Sequence, residues 1–126
     1  MKTSGGKVVI AVLMPHAPVL VPAVGGKYGH KADNSINAMA EAARRVVQIQ
    51  PETLVVISPH TPRHSGAFAL RFDRRIRGNL AKFGAPEAGV DLPTDKRLAE
   101  TISLEAKARR LKTWWLTDNE LDHGAT

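Results

Sequence analysis

Residues 7–18, Lys7-Val8-Val9-Ile10-Ala11-Val12-Leu13-Met14-Pro15-His16-Ala17-Pro18, and residues 53–62, Thr53-Leu54-Val55-Val56-Ile57-Ser58-Pro59-His60-Thr61-Pro62, share one design. Each is a short apolar run rich in valine that stops at a proline and continues as Pro-His-x-Pro. A continuous rather than alternating apolar run is the pattern of a strand covered on both faces. Between the two runs lies a loop with Pro18, Pro22, Gly25, Gly26 and Gly29, followed by a helical pattern that Asp33 or Ser35 can cap. Ile36, Met39, Ala40, Ala43, Val46 and Val47 form the apolar side of that helix, and Pro51 closes it. Strand, helix and strand in about fifty residues make a βαβ unit, so the two strands are expected to be parallel with a right-handed crossover.

Outward from this unit, residues 67–72, Ala67-Phe68-Ala69-Leu70-Arg71-Phe72, alternate large apolar with small or polar side chains, which implies a third strand with one more exposed face. Residues 73–93 contain Gly78, Gly84, Pro86, Gly89 and Pro93 and are expected to be irregular or to form short strands. Thr94 is placed to cap a second helix running to about Arg110, with Leu98, Ile102 and Ala106 on one side. A further strand is expected around Thr113 to Thr117. This succession predicts one α/β domain with a mixed, partly parallel sheet.

The 126 residues, 43% of them hydrophobic, suffice for one core and not for two ordinary domains. No cysteine is present, so a metal would be held by His, Asp or Glu, a donor set that favours iron, zinc or manganese. The amino-terminal run is short and lacks the cleavage pattern of a signal peptide, and no apolar stretch approaches the roughly 20 residues that span a bilayer. The expectation is a soluble, cytoplasmic protein without a membrane segment. A net charge of +6 arises from 18 Lys and Arg against 12 Asp and Glu, with arginines at 44, 45, 71, 74, 75, 77, 109 and 110. These are spread over several segments without interleaved aromatics, which favours solvated helix faces or subunit contacts over nucleic-acid binding.

Parallel strands would deliver His16 and His60 to the same sheet edge, where open α/β sheets form their ligand crevice. The flanking prolines fix the backbone at each imidazole, a rigidity that suits a metal ligand. A third constellation, Leu121-Asp122-His123-Gly124, places a carboxylate that can orient His123 beside a glycine that permits close backbone approach. His30 lies in a glycine-rich loop, and Pro62 separates His60 from His64, so neither is assigned to a metal site. The Gly25-Gly26 pair matches neither a dinucleotide fingerprint nor a P-loop.

Pro15-His16-Ala17-Pro18, Ser58-Pro59-His60 and Leu121-Asp122-His123-Gly124, in this order, resemble the LigB-like, class III extradiol ring-cleavage dioxygenases, a superfamily that includes the Memo-like proteins. Phe83-Gly84-Ala85-Pro86 looks like a recurrent segment of the same family. The resemblance implies a three-layer α/β sandwich and a non-haem Fe(II) bound by two histidines and one glutamate. By motif, His16 and His60 take the two histidine places. His123 takes that of a catalytic pocket histidine that contacts substrate or oxygen, with Asp122 beside it in the substrate pocket. The implied reaction opens a catechol-type ring beside its two hydroxyls with O2. Zinc or manganese in place of iron stays open, as do a zinc hydrolase and a Memo-like, non-catalytic metal- or peptide-binding protein.

Family domains continue beyond the Asp-His-Gly motif and take the ligand glutamate, a further histidine and more strands from that remainder, so residues 1–126 resemble the amino-terminal part of one truncated domain. Glu120 and Asp122 do not match the glutamate's position. A homo-oligomer or a complementing chain that completes the site is the expected partner, and unpaired sheet edges give the physical reason.

Overall fold

In the computed structural model, residues 5–26, 31–60, 62, 64–117 and 120–126 are described. Two strand pairs and two long helices make up an incomplete α/β fold with both parallel and antiparallel strands. In chain order the elements are α1 (Pro22–Gly25), α2 (Asp33–Ile49), β1 (Ala67–Arg71), β2 (Arg75–Leu80), β3 (Ala85–Pro93), α3 (Lys96–Ala108) and β4 (Lys112–Leu116).

The parallel pair is not the one that the sequence suggests. Neither 7–14 nor 53–58 forms a strand. The parallel ladder instead joins β1 to β4, in register from Ala67 opposite Lys112 to Arg71 opposite Leu116, with α3 in the connection between them. A strand buried on both faces needs a hydrogen-bonded neighbour and two covering layers. The two valine-rich runs have no ladder partner among the described residues, and their side chains stay open to solvent, Leu13 at 99% and Ile57 at 92%.

Residues 73–93 are more regular than their glycines and prolines suggest. β2 and β3 form an antiparallel hairpin in which Arg75 and Arg77 both pair with Asp91, at 2.6 and 3.2 Å. The register jumps from Asn79 opposite Gly89 to Leu80 opposite Ala85. Residues 86–88 therefore have no ladder partner, and Pro86 withholds no hydrogen bond that the hairpin requires. Gly84, at φ 82°, closes the turn in a conformation that suits glycine. Leu80 and Ala85, which pair across this turn, are buried together with Leu116 of β4. Burying a leucine contributes about 1.5–3 kcal/mol, so these positions anchor the small core.

Both helices form where their periodicity places them, but the caps differ. Ala32, not Asp33 or Ser35, occupies the N-cap of α2 and makes no side-chain cap. Asp95, not Thr94, caps α3, accepting from Leu98 N at 2.9 Å. Its second oxygen accepts from Thr53 Oγ1 at 2.6 Å, which ties the 53–58 run to α3. In the middle of α2, Glu41 accepts from both Arg44 and Arg45, so these two arginines are paired on an exposed helix face. No helix among the described residues is long and apolar enough to cross a membrane.

Candidate metal and substrate site

Three segments that are distant in the chain bring three imidazoles together. The ring centroid of His60 lies 4.5 Å from that of His16 and 4.4 Å from that of His123, while His16 and His123 are 6.3 Å apart. His16 and His60 are exposed and His123 is half-buried. His16 leaves the first apolar run at Pro15. The chain then tightens into a 3-10 turn over Pro18–Leu20, in which Leu20 N donates to Ala17 O at 3.0 Å.

The Asp-His-Gly segment is pinned from the strands. Arg71 of β1 donates to the carbonyl of Glu120 at 2.6 Å, and Leu121 N donates to the carbonyl of Arg77 on β2 at 2.7 Å. Beneath this anchor Gly78 is buried, and a Cβ there would stand 2.4 Å from Thr126 Oγ1 and 2.8 Å from Leu121 Cβ. The next residues close a turn, with Ala125 N and Thr126 Oγ1 both donating to Asp122 O at 3.0 Å. The Asp122 carboxylate accepts through Oδ1 from Gly124 N at 2.8 Å and from Ser58 Oγ at 2.7 Å.

Phe83, in the turn between β2 and β3, meets the His123 ring edge-on at 5.5 Å. It supplies an aromatic wall to the half-buried imidazole. In the sequence Phe83 belongs to the Phe-Gly-Ala-Pro segment and Ser58 to the Ser-Pro-His motif, and neither residue type announces a site by itself. His64 lies apart, its ring 5.7 Å from Trp114. His30 lies outside the described residues.

Imidazole suits borderline metals, and the His16–His60 separation fits two nitrogen ligands of one ion. A nitrogen about 2.1 Å from a metal sets two perpendicular ligands' ring centres about 4.6 Å apart. The third ligand of a two-histidine, one-carboxylate site is not among them: no group of three or more His, Asp or Glu among the described residues could hold a metal ion. The backbone carbonyl of Glu120 is held by Arg71, and Asp122 is turned toward Ser58 and Gly124. His16 and His60 are thus the described residues whose ring spacing suits two nitrogen ligands, and no carboxylate completes the set among the described residues.

Residues 10–126 match the family model described as the catalytic LigB subunit of aromatic ring-opening dioxygenase. The chain is also 28% identical over 109 residues to protein CA_C1420 of Clostridium acetobutylicum, a match that covers 86% of this chain and 23% of that protein. It therefore spans about a quarter of this relative's length. No solved structure is significantly similar.

Proposed function

Since the chain belongs to the family of catalytic LigB subunits of aromatic ring-opening dioxygenases, we propose that it carries the histidine half of a non-haem Fe(II) site for extradiol cleavage of a catechol-type ring. The observation that supports this most is the convergence of His16, His60 and His123, from three segments, within 6.3 Å of one another. In this reading His16 and His60 are the nitrogen ligands. A bound ferrous ion would hold the substrate hydroxyls and O2 side by side and carry electron density between them. His123 is the catalytic histidine, placed to exchange a hydrogen bond or a proton with a substrate hydroxyl or with oxygen. Phe83, against it, offers an apolar face to an aromatic ring.

In this proposal the carboxylate ligand is not supplied by the described residues of the same copy and comes from further sequence of the domain, from a complementing chain or from a second copy. The chain's share of its relative's length accords with this. No membrane or nucleic acid takes part, and the cytoplasm is the proposed location. Arg44 and Arg45 with Glu41, and Arg75 and Arg77 with Asp91, already have acidic partners within the chain.

The test is anaerobic Fe(II) titration of the chain, with and without His16→Ala, followed by a catechol and O2. Binding lost in the variant, with a ring-opened product, supports the reading and shows that the chain or its oligomer completes the site. Binding lost in the variant without turnover supports the ligands and assigns the carboxylate to another segment. Equal binding with and without His16 sinks the proposal. Preferential retention of zinc or manganese during purification would redirect it to a different metal.

A further inference from the structure

Ser58 is the one hydroxyl in the Ser-Pro-His turn, and it touches both loops of the histidine cluster. Its Oγ donates to Asp122 Oδ1 at 2.7 Å across 64 positions of sequence, and the backbone N of His60 points back at the same Oγ at 3.4 Å. Asp122 Oδ1 also receives Gly124 N at 2.8 Å, so one carboxylate oxygen grips the backbone immediately after His123. The two loops are in close contact at this point. A Cβ on Gly124 would lie 3.0 Å from Asp122 Oδ1 and 3.2 Å from both His60 Cδ2 and Ser58 Oγ.

We infer that Ser58 is a positioning residue: its hydroxyl, through Asp122, latches the loop that carries His60 to the loop that carries His123 and fixes the spacing of the two imidazoles. The inference rests on the proposed function for its consequence, and on the hydrogen bonds alone for its geometry. A charge-assisted O–H···O⁻ bond is both stronger and more directional than a neutral one. Its donor lies two residues from His60, and its acceptor is the neighbour of His123. The His60 ring is exposed, and its ring neighbours among the described residues are the imidazoles of His16 and His123. The two Pro-His-x-Pro turns differ here: the first has Met14 where the second has Ser58, and only the second is joined to the Asp-His-Gly loop by such a bond among the described residues.

The experiment compares the metal-free chain, labelled with ¹⁵N-histidine, with its Ser58→Ala, Ser58→Thr and Asp122→Asn variants. Imidazole resonances report the latch without any metal, and His64, which sits against Trp114, is the internal control. Ser58→Ala is expected to displace the His60 and His123 signals and leave His64 in place. Ser58→Thr, which keeps the hydroxyl, is expected to hold both signals near their original positions, whereas Asp122→Asn, which removes the charge from the acceptor, is expected to displace both. In parallel, Co(II) affinity should fall about tenfold in Ser58→Ala and recover in Ser58→Thr, the loss typical of an outer-shell partner. Unmoved His60 and His123 signals in Ser58→Ala overturn the inference, as does a Thr variant that behaves like the Ala variant. Should Ser58→Ala not fold, unmoved His60 and His123 signals in a folded Asp122→Asn chain overturn it equally. A chain that binds no Co(II) removes the proposed function and leaves the imidazole test standing.

Discussion

The rings of His16 and His60 stand 4.5 Å apart with an interplanar angle of 65°, an edge-to-face pair built from two turns of the same Pro-His-x-Pro type. The residues between them include the whole of α2, so the pairing is a product of the fold rather than of local sequence.

If the pair holds one ion, the two rings should be interchangeable in their effect. His16→Ala and His60→Ala are each expected to weaken Fe(II) or Co(II) binding by more than about 100-fold, beyond the range of an outer-shell change. His64→Ala should leave binding unaltered. Anaerobic titration followed by absorbance checks this, and a His64 effect equal to that of the other two would argue for adventitious surface binding.

Gly124 is the tightest joint of the cluster. Gly124→Ala would bring a methyl group within 3.2 Å of His60 Cδ2 and Ser58 Oγ and 3.0 Å of Asp122 Oδ1, so the neighbours must yield by a few tenths of an ångström. The expected cost is about 1 kcal/mol of stability, at the low end for overpacking, accompanied by weaker metal binding. Urea denaturation beside a metal titration measures both. Unchanged stability and affinity would mean that the Asp-His-Gly loop moves freely relative to His60.

The members of the cluster are more legible in the sequence than the strands of the fold. Pro15-His16 and Pro59-His60 stand out because proline fixes the backbone on either side of an imidazole, but the sequence argument for their convergence is a pair of parallel strands at 7–14 and 53–58 that the fold does not form. The strand reading of 7–14 and 53–58 rests on continuous, valine-rich apolar runs that stop at a proline. Such runs say which residues seek burial, not whether a neighbour is present to pair with them, and Val8 at 82% and Ile57 at 92% exposure show that pairing is missing among the described residues. The β2–β3 hairpin was obscured for the opposite reason: Pro86 and Gly89 read as breakers, yet the register jump between Asn79 and Leu80 accommodates the proline. Gly89 faces Asn79, where a Cβ would collide with the carbonyl of Gly78 at 2.5 Å. Ser58 could not be singled out from its type, because its role exists only once Asp122 is beside it.

The β2 strand positions the Asp-His-Gly segment through Gly78, which gives a prediction remote from any imidazole. Gly78→Ala places a Cβ 2.4 Å from Thr126 Oγ1 and 2.8 Å from Leu121 Cβ, distances that side chains do not tolerate. Segment 121–126 must move, at a cost of about 1–3 kcal/mol. The Leu121 amide, which donates to Arg77 O, should then exchange with solvent faster than in the parent chain. Hydrogen exchange at Leu121 is the direct measurement, and unchanged protection would show that the segment is held by Ser58–Asp122 and not by β2.

Acid should weaken the attachment of the 53–58 run to α3. The Thr53 hydroxyl foremost, and then the Leu98 amide, hold the Asp95 carboxyl below the usual carboxylate range. A carboxyl whose folded value is depressed binds fewer protons in the folded than in the unfolded chain. Its contribution is therefore complete above the unfolded value of about 4 and disappears as pH falls through that value toward the lower folded one. Glu41 and Asp91 are lowered in the same direction by their arginines, so total acid sensitivity does not isolate Asp95. The difference between the parent chain and Thr53→Val does. The variant loses the Thr53 hydrogen bond while Asp95 still accepts from Leu98 N, so its melting temperature should lie below the parent's at neutral pH, with the gap closing below about pH 4. Melting curves at stepped pH provide the check. A gap that stays constant with pH would mean that Thr53 acts through packing, and that the apolar run leading to Ser58 and His60 is held to α3 by something other than the Asp95 charge.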